Sequence, residues 1–357
     1  MATEDVPAIS VIIPMYNTEK YIEECLQSLL NQTFRNFEVI VVDDYSTDNS
    51  VAVVQKMIPA FDAQNIEITV ATNKANSGCP GIPRNFGITI AKGKYVYFMD
   101  SDDFLSEDVL ENLYNVAENF NADIVDSKII LEYRKIDGKF ETVAKIMANS
   151  KRIENPTLET FDISKRIEGI INLEYSNSTV TKIFRREFLI DNDIKFPAMS
   201  LTEDFIFMFK CMVCAQNYVS IPFIGYFYRI YAESTSHMSR DIKISSLDLI
   251  EGIYCLNNFM QEQKFFVENP KYQYRVIDFF NQWFSDVIFK NTFFDKNLSA
   301  EEMYNFYRKK VFNLDAEKNI PLTAYLFVSA NIYKLLVKNQ FEEIAQLKKI
   351  IAELKGD

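Results

Sequence analysis

The stretch that decides the fold is "FEVIVVDDYSTDNSVAVVQKMI", Phe37 to Ile58. Apart from Glu38, the run to Val42 is apolar and mostly β-branched, without the polar alternation of a half-exposed strand. It reads as a strand buried on both faces, and it stops at two acids, Asp43 and Asp44. Ser46, Thr47, Asp48 and Asn49 follow, all residues that cap helix N-termini, and the apolar spacing beyond them is helical. A buried strand feeding directly into a capped helix is the repeating half of a βαβ unit.

The same unit recurs on either side. Upstream, "ISVIIPMYN" carries a β-branched run from Ile9 to Ile13 closed by Pro14, and residues 18–31 place Tyr21, Ile22, Cys25, Leu26, Leu29 and Leu30 at helical spacing. Downstream, "IEITVAT" reads as a third strand, "RNFGITIAKG" as a helix ending near Gly93, and "YVYFMD" as a fourth strand. Single helices between buried strands predict an α/β fold, a mostly parallel sheet covered by helices on both faces. Ligands of such sheets bind beyond the carboxyl ends of the strands. Asp43, Asp44 and the cluster Asp100–Asp103 therefore fall on one rim.

The pattern continues with a helix from Ser106, a strand "ADIVDSKIILEY", a hairpin around Asp137-Gly138 and an apolar helix "DFIFMFKCMVCAQN". From about Asp241 the alternation ends, and amphipathic, aromatic-rich helices take over. The expected organisation is an α/β domain over 1–240 and a helical region over 241–357. In the last segment Phe341, Ile344, Leu347, Ile351 and Leu354 form a stripe that packs either on the body or against a second copy, making a homo-oligomer.

With 50 Asp and Glu against 38 Lys and Arg in 357 residues, the net charge is -12, which argues against a nucleic acid partner. The N-terminus lacks the pattern of a cleaved leader, and no run of about 18 apolar residues occurs, so no spanning helix is expected. The reading is cytoplasmic, with peripheral contact at the inner face of the membrane left open. Five cysteines, an odd number, argue against a disulfide framework. The Cys211/Cys214 pair lies within an apolar helix and reads as buried structural thiols rather than a redox or zinc motif.

The rim residues can be read two ways each. Asp100 and Asp102, on the same side of an extended segment, suit a hard cation such as Mg²⁺ that takes one or two carboxylates plus phosphate oxygens. They also suit a helix cap. Asp43 and Asp44 can accept hydrogen bonds from a base or ribose, or close a turn. Arg84, at the start of a helix, suits a phosphate or a surface ion pair. His237, the chain's one histidine, can complete a metal shell, touch a phosphate, or be an ordinary loop residue. Glu203 and Asp204, opening an apolar helix, serve the helix dipole or supply a general base.

Taken together, "SVIIPMYN", "QSLLNQTFRNFEVIVVDDYSTDNS", "NSG", "PRNFGI", "GKYVYFMDSDD" and "TEDFIF" occur in the order seen in bacterial family-2 glycosyltransferases, and residues 8–240 resemble that family. The "NSG…PRN" region is also similar to wall teichoic acid glycosyltransferases. The resemblance implies the Rossmann-like GT-A fold and inverting transfer of a sugar from a nucleotide diphosphate donor, usually a UDP-sugar, with Mg²⁺ or Mn²⁺. It implies that Pro14, Tyr16, Asn17, Asp43, Asp44, Asn76, Arg84, Asp100, Ser101 and Asp102 line the donor site. By the same resemblance Asp102 and Asp100 hold the metal, with His237 as a further ligand, and Asp204 is the catalytic base with Glu203 beside it. The acceptor it implies is a hydroxyl of a glycan, teichoic acid or lipid-linked polyol phosphate, in the building of cell wall, capsule or lipopolysaccharide.

Rival readings fit less well. A phosphatase of the haloacid-dehalogenase type needs Thr or Val two residues after the second acid, where Phe104 stands. A sugar nucleotidyltransferase needs a Gly-rich, Arg-containing loop after the first strand, and "IPMYNTEKY" has none. A catalytically inactive, nucleotide-binding scaffold of the same fold would not need the acids of both "DSD" and "TED".

Overall fold

The computed structural model describes residues 6–136, 139–146, 153–231 and 240–293. The chain divides into two compact units, Met1–Thr235 and Ser236–Asp357.

In the first unit the order is β1 (Ile9–Met15), α1 (Ile22–Leu30), β2 (Phe37–Asp43), α2 (Ser50–Asp62), β3 (Ile68–Thr72), α3 (Gly81–Ile90), β4 (Tyr95–Phe98), β5 (Phe104–Leu105), α4 (Val109–Asn119), β6 (Ile124–Asp126), β7 (Ile129–Ile136), β8 (Lys139–Ile146), β9 (Thr157–Leu158), α5 (Ile163–Ile171), β10 (Lys182–Arg185), α6 (Arg186–Asp191), α7 (Glu203–Cys214), β11 (Tyr218–Ser220) and β12 (Ile224–Ile230). Its described residues form an eight-stranded sheet ordered β3-β2-β1-β4-β10-β6-β11-β9 and a four-stranded sheet ordered β5-β12-β7-β8. β3, β2, β1 and β4 run parallel, and β10 enters antiparallel beside β4. This is the mostly parallel, helix-covered sheet of the GT-A fold. Strand order reverses between β1 and β4, the place where such sheets open a crevice at their carboxyl ends.

β1 and β2 are buried along their whole length, as their apolar runs require when helices cover both faces. The polar Glu38 within β2 is 2% exposed and is satisfied by the Ser10 hydroxyl and the Lys92 amide. α3 lies close over β1 because residue 87 is glycine: a Cβ there would collide with Cγ2 of Ile12. Asp43 and Asp44, and the Asp100–Asp103 turn, leave the ends of β2 and β4 on the same rim.

Some expectations change. The strand over 122–133 is two strands, since Lys128 adopts φ 54° and its amide donates to Oδ1 of Asp126. That turn takes the chain out of the large sheet (β6) into the small one (β7). Asp100 to Asp102 is not extended but opens a turn closed by the Asp103 amide on the Asp100 carbonyl. β7 and β8 pair antiparallel, with Ile136 opposite Lys139, on either side of residues 137 and 138, which lie outside the described residues. Cys211 and Cys214 are free thiols in the last turn of α7, the first buried and the second partly so.

The second unit opens with β13 (Arg240–Asp241), α8 (Ile242–Glu262), α9 (Lys264–Glu268), α10 (Pro270–Asn291) and β14 (Thr292–Phe293). α8 and α10 pack together, burying Leu249, Ile253, Leu256 and Met260 on one and Val276, Phe280 and Phe284 on the other. His237 and the stripe from Phe341 to Leu354 lie outside the described residues. Among the described residues no helix is long and apolar enough to cross a membrane.

Candidate active site

At the ends of β1 and β2 the chain stitches two rim loops together. Asn17, at φ 51°, donates its amide to Ser46 Oγ and accepts at Oδ1 from the Thr47 amide. Asp43 accepts from the Ser46 amide, closing the turn after β2. Asp44 is 5% exposed: Oδ1 takes the side-chain amide of Asn73, and Oδ2 takes both the amide and the hydroxyl of Ser77. It thereby organises the loop that carries Asn76, whose Oδ1 accepts from the Gly78 amide at φ 75°. Pro14 is buried at the end of β1, while the Tyr16 ring beyond it is exposed.

The first turn of α3 delivers Arg84 into the crevice floor. Its side chain is 3% exposed and is surrounded by acids from two other elements. Nη2 donates to Asp100 Oδ1 at 2.8 Å, and Nη1 to Asp204 Oδ1 at 2.9 Å and Glu203 Oε1 at 3.5 Å. Burial works against the charge, but Asp204, Asp100 and Glu203 outweigh it and raise the guanidinium pKa above its ordinary value. Cζ lies 5.2 Å from the Phe196 ring. Where the sequence allowed a phosphate ligand or a surface ion pair, the structure has a buried hub of three carboxylates.

Glu203 and Asp204 begin α7, following Thr202 at φ 63°. Burial pushes Glu203 up to about 8, with Asp204 adding to the shift and Arg84 opposing it. Burial raises Asp204 as well, against the pull of Arg84. Thr179, fully buried, donates its hydroxyl to Asp204 Oδ1 at 3.2 Å.

The Asp100–Asp103 turn is held by β12, from the smaller sheet. Tyr226 Oη donates to Asp103 Oδ2 at 2.5 Å and accepts the Asp100 amide at 3.2 Å. Arg229 donates its amide to Asp103 Oδ1 and its Nε–H to the Asp102 carbonyl. The Arg229 guanidinium sits among the rings of Tyr21, Phe104 and Tyr133 and pairs with Glu24. Tyr231 donates to Asp102 Oδ2 at 2.8 Å. Ser101 is buried within the turn.

Thr179, Tyr226, Arg229 and Tyr231 escape the sequence reading. The run "YFYRIY" is legible as a strand, but nothing local shows that it returns to a turn more than 120 residues earlier.

Two carboxylates of this turn suit a divalent cation. Asp102 is pushed up to about 6, first by burial and next by Asp100, a like-charge strain that a cation would relieve. Among the described residues no three His, Cys, Asp or Glu side chains converge into a ready cage. A hard cation shared with substrate phosphates needs no more than one or two protein carboxylates.

The glycosyl transferase family 2 profile matches residues 10–189, just over half of the chain. Over 234 residues, 65% of this chain, the sequence is 32% identical to the poly(ribitol-phosphate) beta-glucosyltransferase of Bacillus spizizenii, a match covering 33% of that protein. Over 233 residues, 64% of this chain, it is 33% identical to the poly(ribitol-phosphate) beta-N-acetylglucosaminyltransferase TarS of Staphylococcus aureus, covering 36% of it. The matches thus span about a third of the length of these relatives. Residues 1–349 of S. aureus TarS have a similar crystal structure, with TM-score 0.58 and 25% identity over 91% of both chains. The same fragment with UDP-GlcNAc gives a TM-score of 0.53, again with 25% identity and 91% coverage of each.

Proposed function

The chain belongs to glycosyl transferase family 2, and from that premise we propose that it is an inverting glycosyltransferase using a UDP-sugar. The acceptor is a hydroxyl of a polyol-phosphate or related cell-surface glycan, met at the cytoplasmic face of the membrane. The observation that carries this reading is the single guanidinium of Arg84, within 3 Å of both Asp100 and Asp204. It brings an acid of the rim turn and an acid opening α7 into one cluster, as a donor platform and a base must be. The named substrates of the relatives and the UDP-GlcNAc complex of TarS support the choice of donor and acceptor.

In this scheme the rim loops of β1 and β2 receive the nucleotide. The exposed Tyr16 ring offers a face to the base, and Asp43 and Asp44 set the shape of the loops around it. Asp204 takes the proton of the acceptor hydroxyl. The acceptor oxygen bonds to the anomeric carbon as the bond to the diphosphate oxygen breaks on the opposite face, its electron pair leaving with UDP. One carboxylate suffices, unlike the pair a glycosidase uses. A Mg²⁺ or Mn²⁺ ion held by Asp102 and Asp100 would, when bound, neutralise the charge developing on the diphosphate. His237 remains proposed as a further ligand. The helical region 241–357 is proposed to shape the acceptor site or to join copies of the chain.

The test is UDP release from a panel of nucleotide sugars with Mn²⁺, with and without poly(ribitol phosphate). The wild type is expected to transfer sugar, and Asp204→Asn to lose at least about a hundredfold in turnover while UDP binding by calorimetry is kept. Lost UDP binding would move Asp204 into the donor site. Absence of transfer from every nucleotide sugar would overturn the function.

A further inference from the structure

Two hydrogen bonds converge on one oxygen of Asp204. Arg84 Nη1 lies 2.9 Å and Thr179 Oγ1 3.2 Å from Oδ1. Among the described residues no hydrogen bond reaches Oδ2, and the Asp204 side chain is 28% exposed although Arg84 beneath it is 3% exposed. The two oxygens of this carboxylate therefore differ. One is anchored inward, and the other is open.

We infer that Thr179 and Arg84 are positioning residues that hold Oδ1 of Asp204 inward and so assign Oδ2 to the acceptor hydroxyl, an inference resting on the reading of Asp204 as the base. A carboxylate free to turn about its last bond would present either oxygen in many orientations. Anchoring one of them leaves the other a narrow range of directions, and a small misplacement of a reacting group costs on the order of a hundredfold in rate. The anchors come from outside α7: Arg84 from α3, and Thr179 from the turn before β10, where its carbonyl accepts the Lys182 amide. Oδ1 is thus located against the sheet and not only against the helix that carries Asp204.

Arg84 does the same for Asp100, taking Oδ1 at 2.8 Å on a side chain that is 30% exposed. Each acid points one oxygen inward to the shared guanidinium. The two terminal nitrogens of Arg84 are given to Asp100, Asp204 and Glu203. Its part is to set the spacing between base and donor-side acid.

Thr179→Val removes the hydroxyl at nearly constant shape, and Thr179→Ser keeps it. The valine variant is expected to lose about tenfold in kcat, with donor KM and UDP affinity unchanged, and the serine variant to restore kcat. A crystal structure of Thr179→Val is expected to show the Asp204 carboxylate turned from its inward orientation. Arg84→Lys is expected to lower kcat by about a hundredfold and to leave metal-free UDP affinity by calorimetry unchanged, any loss of UDP affinity appearing only with Mn²⁺ present, through Asp100. The inference is overturned if Thr179→Val keeps both full kcat and the Asp204 orientation. It is equally overturned if Arg84→Lys, with metal removed by EDTA, loses affinity for UDP but not for uridine, as a phosphate ligand would. Should the lysine variant not fold, the threonine pair decides alone. If the wild type transfers no sugar, the proposed function fails, while the orientation of Asp204 in the Thr179→Val crystal still decides the positioning.

Discussion

Asp100, Asp102 and Asp103 are chemically the same side chain and do three different things within four residues. Asp100 gives one oxygen to Arg84 and stays partly open, while Asp102 meets Tyr231. Asp103 is 1% exposed and serves the turn itself, its two oxygens taken by Tyr226 and the Arg229 amide. Burial, and then Asp102 and Asp100, push the Asp103 carboxyl well above the usual range. That an acidic cluster closes the fourth strand is plain in the sequence. Which acid faces outward is not, because the partners lie on α3, on β12 and just beyond it. Tyr226→Phe is therefore expected to cost about 1–3 kcal/mol of stability by stranding the Asp100 amide and an Asp103 oxygen. It should also weaken metal-dependent UDP binding. A melting temperature and UDP affinity equal to wild type would detach the second sheet from the site.

At the scale of elements, α3 and α7 present the clustered side chains Arg84, Glu203 and Asp204. α3 approaches β1 closely at Gly87, which lets its first turn bring Arg84 to the crevice floor. α7 holds Glu203 and Asp204 at its start, and at its end the buried Arg166 donates to the carbonyls of Met212 and Ala215, which the helix leaves unpaired. The apolar sequence of α7 reads as a buried helix, yet its capping arginine sits on α5, beyond the reach of any local pattern. Gly87→Ala is expected to destabilise the fold by about 1–3 kcal/mol through overpacking against Ile12, visible as a lowered midpoint in urea. An unchanged midpoint would mean that α3 can lift from the sheet without penalty. Element boundaries were readable to within a few residues for β1 through β4. The long strand expected over 122–133 failed, because a left-handed Lys128 redirects the chain for reasons of tertiary packing.

For the whole molecule, the acidic cluster imposes a pH dependence. Glu203 has its folded pKa raised from the ordinary 4.5 to about 8. The folded state therefore holds a proton that the unfolded chain gives up, and the stability tied to it is complete below the ordinary carboxylate range and lost as pH rises through about 8. Asp48 and Glu118, held lower by hydrogen bonds from Ser50 and from Lys94, act oppositely and lose their contribution as pH falls. Burial opposes the shift of Asp48 as its largest influence, and the hydrogen bonds prevail. Glu203→Gln removes the titration while keeping the shape. Its melting temperature is expected to gain on that of the wild type between about pH 5 and 9. Parallel curves across that range would show that Glu203 is ionised throughout.

The order of strands and helices from β1 to β4, the burial of β1 and β2, the rim on which Asp43, Asp44 and Asp100–Asp103 lie, and the family were all decided by sequence alone. Hydrophobic periodicity and capping are local properties, and the parallel sheet follows from them. The tertiary structure alone decided that Arg84 faces carboxylates, that Asp103 supports the turn, and that Thr179, Tyr226, Arg229 and Tyr231 belong to the site. Those contacts join residues from 16 to more than 120 positions apart, and a buried charge takes its character from whichever neighbours the fold brings to it.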